Sequence, residues 1–179
     1  MKATPLVCAL LLGLGACRPG QCTEFRGCGL PVAQLSPDEQ AAVYETAAGG
    51  AFQLSDPTLS LLIDNRLLPR GPGYGSGPTM SDDVRRTLRN RGVLKGNCQP
   101  TGETKGTLSC NADLPGYVVR FSDVLSLGKP DSVQVYLYVQ KYDTPKSGPT
   151  EALRFEKVYQ IAQRNGKWTA IQEGRLPKS

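Results

Sequence analysis

Two kinds of periodicity divide the chain. From Tyr117 onward apolar and polar residues alternate: Val133, Val135, Leu137 and Val139 fall on one face of a strand, and Gln134, Tyr136, Tyr138 and Gln140 on the other. Leu153, Phe155, Tyr159 and Ile161 continue as the next apolar row. Arg164-Asn165-Gly166-Lys167 then predicts a hairpin, because Asn-Gly accepts the positive φ angles of a type I′ turn. That turn sets Gln163 opposite Trp168 and Ile161 opposite Ala170.

Upstream the period is helical. Ser36-Pro37-Asp38-Glu39 combines an N-cap serine, a proline at the first helical position and a glutamate three residues on. The helix is expected to run to about Ala48, burying Ala42, Val43 and Ala47 near Tyr44, and to stop at Gly49-Gly50. Leu59 to Ile63 reads as a buried strand closed by Asp64-Asn65. Arg70 to Pro78, rich in glycine and proline, reads as a loop whose spacing fits neither G-x-G-x-x-G nor G-x-x-x-x-G-K-[ST]. A second helix starts at Ser81, with Asp82 and Asp83 at its positive end, and stops at Gly92. Its narrow apolar face is Val84 and Leu88.

The resulting order, helix, strand, helix and then three or four antiparallel strands, is that of an α+β domain over residues 36–179. It resembles the NTF2-like or cystatin-like α+β roll and small bacterial lipoproteins of unknown function. The resemblance implies a curved antiparallel sheet of four to five strands packed with two helices. In several NTF2-like folds the cone of the roll is a small-molecule pocket, sometimes with an acid-base Asp. By that analogy Asp64, with Arg66 beside it, is the candidate here, although Asp-Asn after a strand is also ordinary turn chemistry. Tyr136, Tyr138 and Tyr142 form a row that could either bind a glycan, peptide or lipid headgroup or simply pack. Trp168 reads as a core plug at the hairpin.

The first residues have a different character. Met1-Lys2 and the apolar stretch Ala3 to Gly15 are too short for the ~20-residue span of a membrane helix and read as a signal peptide over residues 1–16. Leu14-Gly15-Ala16-Cys17 at its end resembles the lipobox of bacterial lipoproteins. An ordinary secretory site after Ala16 is the alternative, but it would put bulky Leu14 where a small residue is wanted. The resemblance implies cleavage before Cys17, lipid on that cysteine and a membrane-anchored protein of the cell envelope. Arg18 stands where an Asp commonly signals inner-membrane retention in Gram-negative lipoproteins, which leans toward the outer membrane. Residues 17–35 then read as the lipidated N-terminus and a flexible tether.

Composition narrows the chemistry. With 39% hydrophobic and 21% charged residues the chain can bury a core. There is no histidine, which excludes Ser-His and Cys-His nucleophile pairs, a His base and His-ligated zinc. Removing a leader that carries Lys2 and no acid lowers the formal charge from +5 to +4, a mild excess. Arg85, Arg86, Arg89 and Arg91 cluster on the second helix and could meet phosphate or anionic lipid, or be a solvated face. Nucleic acid is not an expected partner, and neither a metal nor a cofactor is expected.

Apart from Cys8 in the leader and Cys17, the cysteines are Cys22, Cys28, Cys98 and Cys110. An even number suits an oxidising compartment. Three pairings are possible, of which the local one, Cys22 with Cys28 and Cys98 with Cys110, is preferred. The leading expectation is therefore an anchored lipoprotein whose domain binds a small ligand or an envelope protein, with membrane lipid met through Cys17. The alternatives are a small pocket enzyme of hydrolase or isomerase type using Asp64 with tyrosines, and a secreted soluble binding protein.

Overall fold

The computed structural model describes residues 27, 29–56, 61–69, 77–94, 97–100, 108–111, 116–142 and 149–175. Helix α1 is Pro37–Ala51. It begins as its sequence dictates: Ser36 Oγ accepts from the Glu39 N–H at 3.3 Å, and the Ser36 N–H donates to Glu39 Oε2 at 2.9 Å. The Ser36 hydroxyl also donates to Glu39 Oε2 at 2.7 Å, and this bond, with the one from the Ser36 N–H, holds the Glu39 carboxyl below its usual range. The helix buries Ala41, Val43, Tyr44, Ala47 and Ala48, with Ala42 only partly covered.

Gly49-Gly50 does not stop the helix, which continues to Ala51 before Phe52 turns extended. Gly50 answers to packing instead. A Cβ there would lie 2.7 Å from Tyr159 Cε1, so the glycine lets the helix approach that ring.

The remaining elements are β1 (Leu61–Ile63), α2 (Asp82–Asn90), β2 (Asn97–Pro100), β3 (Leu108–Asn111), β4 (Gly116–Phe121), β5 (Leu125–Lys129), β6 (Ser132–Tyr142), β7 (Pro149–Arg164) and β8 (Lys167–Arg175). The strands form one sheet in the order β3-β2-β1-β4-β6-β7-β8, with β5 also paired to β6. The fold is α+β. The sheet has more strands than the four to five expected and is not antiparallel throughout, since β1 runs parallel to both β2 and β4. Chain connectivity explains the first parallel pair: α2 lies between β1 and β2, and parallel neighbours need such a crossover. All three residues of β1 are buried, as a short apolar run in a parallel pairing should be.

The antiparallel half follows the alternating pattern. Val133, Val135, Leu137 and Val139 are buried in the main core with Val119, Phe121, Tyr159 and Ile161. Helix α1 covers this face through β6, β7 and β8. Tyr44 stacks on Phe121 with ring centroids 4.5 Å apart, and its hydroxyl donates to the Ser122 carbonyl at 2.9 Å. Burial is the main cause that pushes the Tyr44 phenol above its ordinary range; the Gln40 hydrogen bond opposes this and the Asp123 charge adds to it. The β7–β8 hairpin has the expected register, Gln163↔Trp168 and Ile161↔Ala170. Asn165 and Gly166 have φ of 51° and 75°, as the turn requires.

Strands β4 and β5 lie along the same edge of β6, and the ladder breaks between them. There the Tyr136 N–H donates to Ser122 Oγ at 2.9 Å, while the Ser122 N–H donates to the Tyr136 carbonyl at 2.9 Å. Of the stretch expected to be a flexible tether, residues 17–26 and 28 lie outside those described, and the segment 29–35 docks beside β5. Val32 bridges Leu125, Ala33 donates to the Val124 carbonyl at 2.8 Å, and Ser126 donates to the Pro31 carbonyl at 2.9 Å. Gly27 sits so close that a Cβ would overlap Leu125 Cδ1. The apolar residues Leu30, Val32 and Ala33 are too few and too irregularly spaced to have signalled this. Helix α2 starts at Ser81 and buries Val84 and Leu88 as expected, and Gly92 follows it at φ 72°. Among the described residues no helix is long and apolar enough to cross a membrane.

Candidate functional site

Asp64 follows buried Ile63 and therefore points to the sheet face opposite α1. Its side chain is wholly buried. The Arg66 N–H donates to Asp64 Oδ1 at 2.9 Å, which is the turn chemistry of an Asp after a strand. Arg120 approaches from β4, where it stands between the core residues Val119 and Phe121 and so faces the same side as Asp64. Its Nε donates to Asp64 Oδ2 at 2.7 Å, and its Nη2 bonds the same oxygen. Arg66 Nε lies 3.8 Å from Asp64 Oδ1 with no hydrogen bond among the described residues. The acid is thus enclosed and engaged through both oxygens. Removing either partner would strand a buried charge.

The sequence singled out Asp64, Arg66, Tyr136 and Tyr138, and the structure places all four on this one face. Tyr138 is the cross-strand partner of Arg120. Tyr136 is 7% exposed and packs with Leu68 and Leu125, with Leu30, Tyr138 and Val158 around them. Its hydroxyl accepts from the Gly27 N–H at 3.0 Å and from Gln134 Nε2 at 2.9 Å. Tyr136 is therefore a packed residue that fastens the N-terminal segment, while Tyr138 beside it is half-buried. Side-chain surroundings of Tyr142 lie outside the described residues, as do Cys17, Cys22, Cys28 and the glycine-rich loop before Gly77. The residue that sequence reasoning missed is Arg120. Its signal was a single charge within Val118-Val119-Arg120-Phe121, because a cation in a buried strand demands a partner.

The arginine cluster on α2 is neutralised locally. Arg85 bonds Asp82 and Arg86 bonds Asp83 one turn away, and Arg91 Nη1 donates to Glu45 Oε2 at 2.9 Å. The Arg85 hydrogen bond holds the Asp82 carboxyl below its usual range. Among the described residues no cluster of acids and cysteines could hold a metal ion.

A concave surface opens elsewhere, along α1. It is an open groove of about 720 Å³ between Asp38, Glu39, Ala42, Glu45, Thr46 and Gly49 of the helix, Arg91 after α2, and the hairpin residues Gln163, Gly166, Lys167 and Trp168, with Leu54 at one end. Thr46 Oγ1 reaches the Trp168 carbonyl at 3.3 Å and ties the hairpin to the helix. Trp168 is partly buried against the main core and also forms a wall of this groove. Its indole Nε1 is buried without a hydrogen-bond partner among the described residues. The groove thus offers an aromatic wall, three carboxylates and two cations. Among the described residues that line it, no nucleophile is paired with a base. Compared with known protein families and with curated proteins, the chain matches none.

Proposed function

We propose that the protein is an exported lipoprotein, acylated on Cys17 and held at the cell envelope, whose domain binds a partner in the groove between α1 and the β7–β8 hairpin. The anchor rests on Leu14-Gly15-Ala16-Cys17 at the end of an apolar leader. The binding part rests on the groove of about 720 Å³, a size that suits a small ligand or a short peptide segment. For the domain we infer a roll of the NTF2-like or cystatin-like kind, supported by the way α1 lies across β6, β7 and β8. The edge β3-β2-β1 would be an addition to such a roll. A pocket enzyme built on Asp64 finds no support in its site, where Arg120 and the Arg66 backbone already occupy the carboxylate.

Two measurements test the two parts separately. Intact mass of the mature protein is expected to show fatty acyl groups on an N-terminal Cys17 and to lose them in Cys17→Ser; an unmodified Cys17 would reject the anchor. A photo-crosslinking residue placed at Gln163 in the groove of the full chain, expressed in cells, is expected to give a discrete adduct that the same residue at exposed Lys129 does not. Adducts at neither site, or the same adducts at both, would reject the groove.

A further inference from the structure

We propose that Cys98 and Cys110 form a disulfide that staples the β2–β3 hairpin. Backbone register carries the inference: the antiparallel ladder pairs Asn97↔Asn111, Cys98↔Cys110, Gln99↔Ser109 and Pro100↔Leu108. The proline fixes the type of each pair. Pro100 has no N–H and cannot exchange both backbone hydrogen bonds with Leu108, so theirs is a non-hydrogen-bonded pair. Pair types alternate along an antiparallel ladder. Gln99–Ser109 is therefore hydrogen-bonded, and Cys98–Cys110 is again non-hydrogen-bonded. In pairs of that type the α-carbons approach to about 4.5 Å and the side chains stand closest. That separation lies within the roughly 4.4–6.8 Å over which disulfides form, so the backbone need not move. Of the three pairings open to Cys22, Cys28, Cys98 and Cys110, the register singles out the one that joins Cys98 to Cys110.

Position in the sheet gives the bond a task. β2 and β3 are the outer strands at one end, and a single partner pair, Ile63↔Asn97, joins β2 to β1. Asn97 precedes Cys98, and Ile63 precedes Asp64. A staple at this point holds together a short hairpin that borders the buried Asp64–Arg120 pair. Its formation is a thiol–disulfide exchange. Each cysteine loses its thiol hydrogen, one S–S bond forms, and an oxidising disulfide accepts two electrons and two protons and is reduced to two thiols. In the compartment a dithiol–disulfide carrier would serve; in the test the acceptor is oxidised glutathione, so the outcome does not depend on lipidation or export.

The test is made on the purified full chain equilibrated with oxidised glutathione, digested without reduction and mapped by mass spectrometry. A peptide containing Cys98 linked to one containing Cys110, separating on reduction, is the expected result. Linkage of either residue to Cys22 or Cys28, or alkylation of both thiols in the folded protein, would overturn the proposal. Melting supplies a second reading: Cys98→Ser/Cys110→Ser is expected to lower Tm by about 6–12 °C under oxidising conditions. The wild type should fall to the same value in reductant. Equal melting of oxidised wild type and variant would count against the staple. Should the variant fail to fold, the wild-type peptide map still decides.

Discussion

On the α1 side of the sheet, Val133, Val135, Leu137 and Val139 meet Tyr44, Ala47 and Ala48 in a continuous apolar core. On the other side the same strand presents Gln134, Tyr136, Tyr138 and Gln140 to a layer that contains Asp64 and Arg120, both buried. The first face is held by volume and exclusion of water, so its energy scales with the area covered. The second combines an apolar cluster around Tyr136 with a buried polar group at Asp64 and Arg120, where each member depends on another being present. Two faces of one strand thus respond to substitution by different rules.

The sharpest way to separate them is to cut the ion pair. Asp64→Asn or Arg120→Met, each alone, is expected to lower unfolding stability by about 3–5 kcal/mol in denaturant titration, because one buried charge loses its partner. Replacing both with apolar residues, Asp64→Leu/Arg120→Met, should recover most of that loss. Simple addition of the two single losses would show that the residues do not act as a pair.

On the α1 side the informative change is Gly50→Ala. Helix propensity alone favours alanine by ~1 kcal/mol. The contact with the Tyr159 ring predicts the opposite sign, a loss of about 1–3 kcal/mol by overpacking. Thermal melts would settle the sign.

Tyr44→Phe removes the buried hydrogen bond to the Ser122 carbonyl and the one accepted from Gln40 Nε2, and is expected to cost about 1–2 kcal/mol near neutral pH. Its pH dependence sharpens the contrast further. Burial holds the Tyr44 phenol protonated above the ordinary value near 10, and burial with the Glu173 charge does the same for Tyr159. Above that ordinary value the unfolded chain releases these protons while the folded chain keeps them. Stability therefore falls as pH rises past about 10, and Tyr44→Phe should flatten that fall; an unchanged alkaline slope would contradict it.

The smallest effect is at the helix start, where Ser36→Ala should cost ~1 kcal/mol. Glu39 is held below its usual range, so its contribution is present above the unfolded glutamate value and is lost as pH falls through the lowered folded value. The stability difference between wild type and Glu39→Gln should shrink over that acidic window.

What the sequence made legible was local. The cap at Ser36, the alternation along β6, and the Asn165-Gly166 turn with its register each depend on residues within a few positions of one another. Asp64 was also legible as turn chemistry, and its bond from the Arg66 N–H is of that kind. What escaped was set by distant partners. The parallel pairing of β1 with β4 joins Leu61 to Tyr117, and no local pattern carries that choice. Arg120 was readable as a charge in an apolar strand, but which acid would meet it depended on the same long-range pairing. Gly50 looked like a terminator because a glycine that ends a helix and one that makes room for a tyrosine are written with the same letter.

The docking of residues 29–35 along β5 also sets a distance. For a chain acylated at Cys17, only about nine residues remain between the lipid and Gly27, a reach of roughly 30 Å at full stretch. Such a leash would keep the β5 side of the domain close over the bilayer and limit how far its opposite end could swing. Partners of a chain anchored in this way would themselves have to come near the membrane surface.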